Sequence, residues 1–164
     1  MWANAQVIAE FTQTDPYEGQ PATARTSVRV LASASAIAIG VVCDQDPADI
    51  VSFSVRRDAG LNNEDHVRIV LGPFLDGRSG YVFTINPTGA RYDGLIEPGG
   101  DDNADWDGIW DAATKRTSSG WSAEILIPIQ TLSFNPDLRE WHFNVQRRIQ
   151  RRLENDRWAF PARQ

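Results

Sequence analysis

Along the run Trp141–Arg151, Trp141, Phe143, Val145 and Ile149 fall on one side, while His142, Asn144, Gln146, Arg148 and Gln150 fall on the other. A period of two belongs to extended chain, so this stretch covers a core with one face only as a β-strand. The run Trp121–Pro128 repeats the pattern, with Trp121, Ala123, Ile125 and Ile127 inward. Further strands are expected at Ser27–Leu31, Ala36–Cys43, Ile50–Val55, His66–Leu71 and Tyr81–Asn86, several of them apolar on both sides. Turn dipeptides separate them: Asp46-Pro47, Gly72-Pro73, Asp76-Gly77, Asn86-Pro87-Thr88-Gly89, Glu97-Pro98-Gly99-Gly100, Ser119-Gly120 and Asn135-Pro136. No helical stripe lasts three turns, and only short helical turns are expected, at Pro47–Ile50 and Pro128–Leu132. Short strands at near-regular spacing predict an all-β fold, an antiparallel β-sandwich of immunoglobulin or jelly-roll-like type. With 164 residues, positions 1–164 form a single domain able to bury a core without staples.

Charge and cysteine content narrow the function. A net charge of −6 argues against nucleic acid as a partner. The single cysteine, Cys43, excludes an intramolecular disulfide and a multi-cysteine zinc site, and its apolar run marks it as core. No apolar run is long enough to cross a bilayer, so no direct membrane insertion by this domain is expected. Nor does the start of the chain read as a signal peptide, which makes the chain either cytosolic or a piece of a longer protein. Nucleophile elbows, zinc-protease helices, phosphate loops and dinucleotide fingerprints are missing, and no pair of acids is singled out for hydrolysis. The expectation is a protein that is not an enzyme.

Two features carry binding chemistry. The segment from Asp93 to Asp111 holds seven acids and no Lys or Arg. Within it Asn103, Asp105 and Asp107, followed by Gly108, resemble the front half of a calcium loop, since hard oxygens spaced by two let one turn wrap the ion. The twelfth position is Thr114 where an acid is wanted, and Asp111 at the ninth partly compensates. Calcium held by Asn103, Asp105, Asp107 and Asp111 is one expectation; a solvated acidic loop is the other. The second feature is six tryptophans. Trp121 and Trp141 read as core by periodicity, whereas Trp106 and Trp110 lie inside the acidic loop and Trp158 follows Arg157. An indole beside carboxylates and amides binds the C–H face of a sugar while its hydroxyls take hydrogen bonds. The arginine run places Arg148 and Arg152 on one side of a strand and Arg147 and Arg151 on the other. One pair therefore needs buried acids or a ligand.

The succession Trp2-Ala-x-Ala, Ala36-Ile-Ala-Ile-Gly-Val-Val-Cys-Asp44 and Arg56-Arg57-Asp58 continues with Tyr81-x-Phe-x-Ile-Asn-Pro-x-Gly89 and Trp106-Asp-x-x-Trp110. It ends with Gly120-Trp-x-Ala-Glu-Ile-x-Ile-Pro128 and Arg147-Arg-Ile-x-Arg151, through Trp158. In order and spacing it resembles the family 9 carbohydrate-binding-like domain. In bacteria that domain often begins long secreted proteins whose remainder is predicted to be an outer-membrane-associated β-barrel. The resemblance implies a β-sandwich in a secreted, periplasmic or outer-membrane-associated setting that binds plant-type polysaccharide or oligosaccharide and carries structural calcium. Trp106, Trp110 and Trp158 are then the expected platforms, and Arg57, Asp58, Asn86 and Arg148 the polar contacts. A structural interaction domain, joined to the remainder of a larger envelope protein and binding no free sugar, is the alternative. A haem-binding relative and a glycosidase are weaker readings, the former because the only methionine is Met1.

Overall fold

The computed structural model describes residues 5–74, 79–97, 102–134, 136–137 and 140–158. Among them the strands are β1 (Val7–Ile8), β2 (Thr12–Asp15), β3 (Thr26–Ala32), β4 (Ala36–Asp44), β5 (His66–Gly72) and β6 (Gly80–Ile85). The second half adds β7 (Arg91–Ile96), β8 (Asp102–Asn103), β9 (Asp111–Thr117), β10 (Gly120–Pro128), β11 (His142–Ile149) and β12 (Glu154–Arg157). They form two antiparallel sheets, one in the order β1-β3-β4-β10-β9 and the other β2-β12-β11-β5-β6-β7-β8. The expected β-sandwich is present.

Register explains the core. Across β4 and β10 the pairs are Cys43–Trp121, Val41–Ala123, Ile39–Ile125 and Ile37–Ile127, so four inward positions of each strand face the same way. In the opposite sheet Val67, Ile69 and Leu71 pair with Ile85, Phe83 and Tyr81. All of these are buried and belong to one apolar cluster between the sheets. Each fully buried side chain of this size contributes about 1.5–3 kcal/mol. Expected 3-10 turns occur at Pro47–Asp49 and Ile129–Thr131, and an additional one at Gln150–Arg152. The Asn86–Gly89 turn joins β6 to β7, and Ser119 leads into β10 at Gly120. There a Cβ would lie 1.9 Å from the Cys43 carbonyl oxygen, so only glycine fits. The Asp76-Gly77 turn lies outside the described residues, as do most of Glu97–Gly100 and Asn135 of the Asn135-Pro136 pair.

One expected strand is not a strand. Residues 50–55 pair with no neighbouring strand, and three of their N–H groups bond to side chains instead. Val51 donates to Asp65 Oδ2 (3.3 Å), and Phe53 and Ser54 donate to Glu64 Oε1 (2.7 and 2.9 Å). Two adjacent buried carboxylates stand in for the ladder.

The arginine run also resolves. Arg147 points into the core and is 1% exposed. It donates to the carbonyls of Arg25 (3.1 Å) and Asp44 (2.8 Å) and to Thr26 Oγ1 (3.1 Å). The acidic segment does not reach it; Arg57 and Arg68 pair there instead, with Asp93 and Asp102.

Candidate functional site

The two sheets are joined at one lateral edge by residues 104–110, which run from β8, the last strand of the larger sheet, to β9, the last strand of the smaller. Asp93 on β7 faces the interior at this edge, because its partner in register, Phe83, is a core residue. A buried carboxylate survives only if it is satisfied. Its Oδ2 accepts from Arg57 Nη2, the Gly108 N–H and Trp110 Nε1, each at 2.9 Å. Its Oδ1 is buried and has no hydrogen-bond partner.

The groups around Asp93 come from two segments distant from it in sequence, 57–58 and 107–110. Arg57 is partly exposed and also donates to the Gly108 carbonyl (2.7 Å). Asp58 adopts φ 60°, a left-handed conformation that aspartate tolerates, and its N–H donates to the Arg91 carbonyl at 2.6 Å. That turn brings its exposed carboxyl to Asp93. One carboxylate oxygen from each of Asp58, Asp93 and Asp107 lies within 4.8 Å of the others. Partial burial, then the charges of Asp93 and Asp107, push the Asp58 carboxyl above its usual range.

The expected platforms part ways here. Trp110 is 3% exposed, its ring against Phe83 (5.1 Å) and beneath Arg91 (5.5 Å), so it is core and offers no face to a sugar. Trp106 is half-buried on Tyr81 (4.8 Å) and Phe83 (5.9 Å), and it lies so close over Gly108 that a Cβ there would sit 2.5 Å from the ring. Trp158 is half-buried against Phe143 (6.2 Å) at the end of β12, beside β11, with β5 and β6 between it and β7. Arg148, also on β11, faces outward and bonds Gln150 (3.0 Å). Asn86 is 0% exposed. Its Nδ2 donates to Ser54 O (2.9 Å) and Glu64 Oε1 (3.0 Å), and its Oδ1 accepts from Thr88 and Ala90 (3.1 and 2.8 Å). It shapes a turn and cannot serve as a ligand contact. Arg57, Asp58 and Trp106 are thus the members of the expected set that meet.

The expected calcium loop is likewise dispersed. Asn103 Nδ2 donates to Glu97 (2.9 Å), and its Oδ1 accepts the Asp105 N–H (3.0 Å). Asp105 and Asp111 are exposed, the latter on β9. Asp107 alone of the four joins the cluster.

A recess of about 160 Å³ lies on the outer face of the larger sheet, where His66, Arg68, Thr84, Tyr92 and Asp102 meet the loop of Gly60, Leu61 and Asn62. Register builds it: Arg68, Thr84 and Tyr92 stand in one row across β5, β6 and β7. Arg68 holds Asp102 with two bonds (2.8 and 3.0 Å). Burial, with the Asp102 charge, raises Tyr92 above its ordinary value, so its hydroxyl stays protonated. His66 Nδ1 lies 3.0 Å from the carbonyls of both Leu61 and Glu64, which makes Nδ1 the protonated nitrogen and leaves Nε2 an acceptor. Burial holds His66 below its ordinary value, so the ring is neutral. Sequence reasoning missed this set, because its members come from four separate strands. The alternation that put His66 and Arg68 opposite Val67 and Ile69 was the one available signal.

No protein-family model and no curated protein matches the chain. Solved structures do. A candidate carbohydrate-binding protein from Bacteroides uniformis aligns with TM-score 0.73 at 12% identity, covering 98% of this chain and 80% of that one. A family 9 carbohydrate-binding module from Caldicellulosiruptor kristjanssonii, solved with cellotriose, aligns with TM-score 0.67 at 14% identity, over 96% and 74% of the two chains. The module from the same organism solved with glucose gives TM-score 0.65 at 13% identity, over 96% and 75%. Two sheets closed by the same course of the chain over nearly its full length give this protein the fold of the family 9 carbohydrate-binding modules.

Proposed function

We propose that this domain is a non-catalytic carbohydrate-binding module that seats an oligosaccharide in the recess on the outer face of the larger sheet. The observation that carries the reading is the hydrogen-bonding inventory of that recess. It combines an aromatic ring with a phenol donor (Tyr92), a neutral imidazole acceptor (His66), a hydroxyl (Thr84) and a bidentate Arg68–Asp102 pair. Sugar sites pair an apolar ring face with a few fixed polar groups in this way. The aligned modules solved with cellotriose and glucose support the same class of ligand. Trp106 packs on the inward Tyr81 and Phe83, so in this reading Tyr92 supplies the ring face and none of the expected indoles is needed for stacking. The secreted, periplasmic or outer-membrane-associated setting and the larger envelope protein follow from the sequence resemblance and complete the proposal.

Calorimetric titration with cello- and xylo-oligosaccharides in cation-free buffer tests it. Saturable binding, weakened at least ~10-fold (about 1.4 kcal/mol) by Tyr92→Ala in a folded variant, is expected. Binding untouched by Tyr92→Ala and Arg68→Ala would move the site elsewhere, and no heat with any sugar would end the reading.

One observation favours the interaction-domain alternative. Phe53, Val55 and Ile109 are 66, 71 and 80% exposed, and they lie on the two segments that Arg57 bridges. Exposed apolar side chains held on pinned backbone suit a protein partner. If sugars give no heat while Phe53→Ser improves solubility of the isolated domain, this alternative takes the lead.

A further inference from the structure

We propose that the outer face of the smaller sheet carries a second binding site, one that takes a carboxylate-bearing saccharide, a uronate. The saccharide half of the inference rests on the carbohydrate-binding reading; the carboxylate half stands on the side chains alone. A recess of about 310 Å³ opens there, on the opposite side of the sandwich from the Tyr92 recess. Its volume falls at the lower end of small-molecule sites, about 300–1,000 Å³.

Register builds the recess. One row across β3, β4 and β10 runs Arg29, Gly40 and Glu124, and the next runs Ser27, Val42 and Ser122. All six line it. They alternate with Val28, Val41 and Ala123, which are buried in the core, and so they point away from it. Gly40 leaves bare backbone in the floor, and Val42, 49% exposed, sets an apolar surface beside it. The C–H face of a sugar ring can rest there. No aromatic ring lines the recess, so charge has to do what stacking does elsewhere.

Two arginines supply that charge. Arg25 and Arg29 both line the recess from the β3 side, about 13 Å apart along extended chain, with Ser27 between them. Arg25 Nε donates to Ser27 Oγ (3.2 Å), which lays the guanidinium back along the strand toward Arg29. Neither arginine has a carboxylate partner among the described residues, whereas Arg57, Arg68 and Arg151 pair with Asp93, Asp102 and Asp49. An open guanidinium fork matches a carboxylate with two hydrogen bonds. On a chain of net charge −6, only such a local group draws in an anion. Across the floor stand the Ser122 hydroxyl and the Glu124 carboxylate. Glu124 keeps a ligand's own carboxylate on the arginine side, and both groups can accept from sugar hydroxyls. A uronate, with one carboxylate and several hydroxyls on a single ring, fits this two-sided lining.

Amide shifts of the isotope-labelled domain, followed by NMR, read the two recesses separately. Trigalacturonate should move the amides of Ser27, Gly40 and Ser122, and cellotriose those of Thr84 and Tyr92. Arg29→Gln should weaken trigalacturonate binding at least ~10-fold. Gly40→Val, which fills the floor and keeps both arginines, should do the same in a folded variant. Arg116→Gln removes an equal charge at an exposed position whose register partner, Trp121, faces the core, and it should leave binding unchanged. Equal weakening by Arg29→Gln and Arg116→Gln would show diffuse attraction and overturn the site. So would methyl-esterified trigalacturonate binding as tightly as the acid, since the arginines would then read nothing. Acetate moving the same amides with the same midpoint would leave a bare carboxylate site and overturn the saccharide. Cellotriose shifts without any response to trigalacturonate would sink this inference and spare the carbohydrate-binding reading. The reverse pattern would keep this site and move neutral sugars out of the Tyr92 recess.

Discussion

Asn86 uses both ends of its amide at once, donating to Ser54 and Glu64 and accepting from Thr88 and Ala90. Replacement by alanine strands the Ala90 N–H, leaves the Thr88 N–H with Ser52 Oγ alone (3.2 Å), and removes a donor from a buried carboxylate. We expect Asn86→Ala to cost about 2–4 kcal/mol, read as a lower urea midpoint with an unchanged slope. Arg147 poses a sharper case. Its planar fork reaches carbonyls on two neighbouring segments, a geometry that an ammonium cannot copy. Arg147→Lys should therefore destabilise nearly as much as Arg147→Met, by about 3 kcal/mol or more. Full tolerance of lysine would mean that only the charge matters there.

Strands whose side chains alternate cleanly were legible because one face meets a core and the other meets water. Residues 141–151, 121–128 and 36–43 show this. The segment 50–55 alternates as well, yet it is not a strand, since Glu64 and Asp65 capture its N–H groups; no pattern within the segment records what it bonds to. β12 went unseen for the opposite reason. Its Glu-Asn-Asp-Arg run has no apolar residue, and its inward positions carry Glu154 and Asp156, both 1% exposed. β7 was hidden by Asp93, a charge at an inward position, and β9 by its alanines. The edge cluster shared that fate, because Asp58, Asp93 and Asp107 meet only after the sheets form. At this scale one test is local. Glu64→Gln places an amide donor among donors that need an acceptor. Amide exchange at Phe53 and Ser54 should then accelerate well before global unfolding, whereas exchange as slow as in the wild type would show the segment is held by something else.

Across the whole molecule, two buried carboxyls set opposite pH trends. Burial alone would raise Glu64, but bonds from Ser54, Phe53 and Asn86 outweigh it and hold the carboxyl below its usual range. Its folded pKa is depressed, so its stabilisation is present above the ordinary carboxylate range and fades as pH falls through the folded value. Asp156 runs the other way. Burial, then the adjacent Glu154, push it up to about 8, with Arg147 and Arg152 opposing. The fold thus keeps Asp156 protonated where an unfolded chain ionises it at about 4, and stability declines as pH climbs from about 4 to about 8. The melting temperature should drop by a few degrees between about pH 5 and pH 8, and Asp156→Asn should flatten that slope. A wild-type melting temperature that rises over this range would refute the assignment.

The order of strands also decides where the molecule is open to its own kind. At the outer ends of the sheets β1 and β8 have two residues each and β2 four, too short to template another chain. β9 is different, with seven residues and, among the described residues, one side unpaired. A free ladder of that length invites strand addition and aggregation unless charge discourages it. Asp111, Lys115 and Arg116 supply that charge along an otherwise small-residue strand, and they act as guards for a fold that cannot hide its last edge.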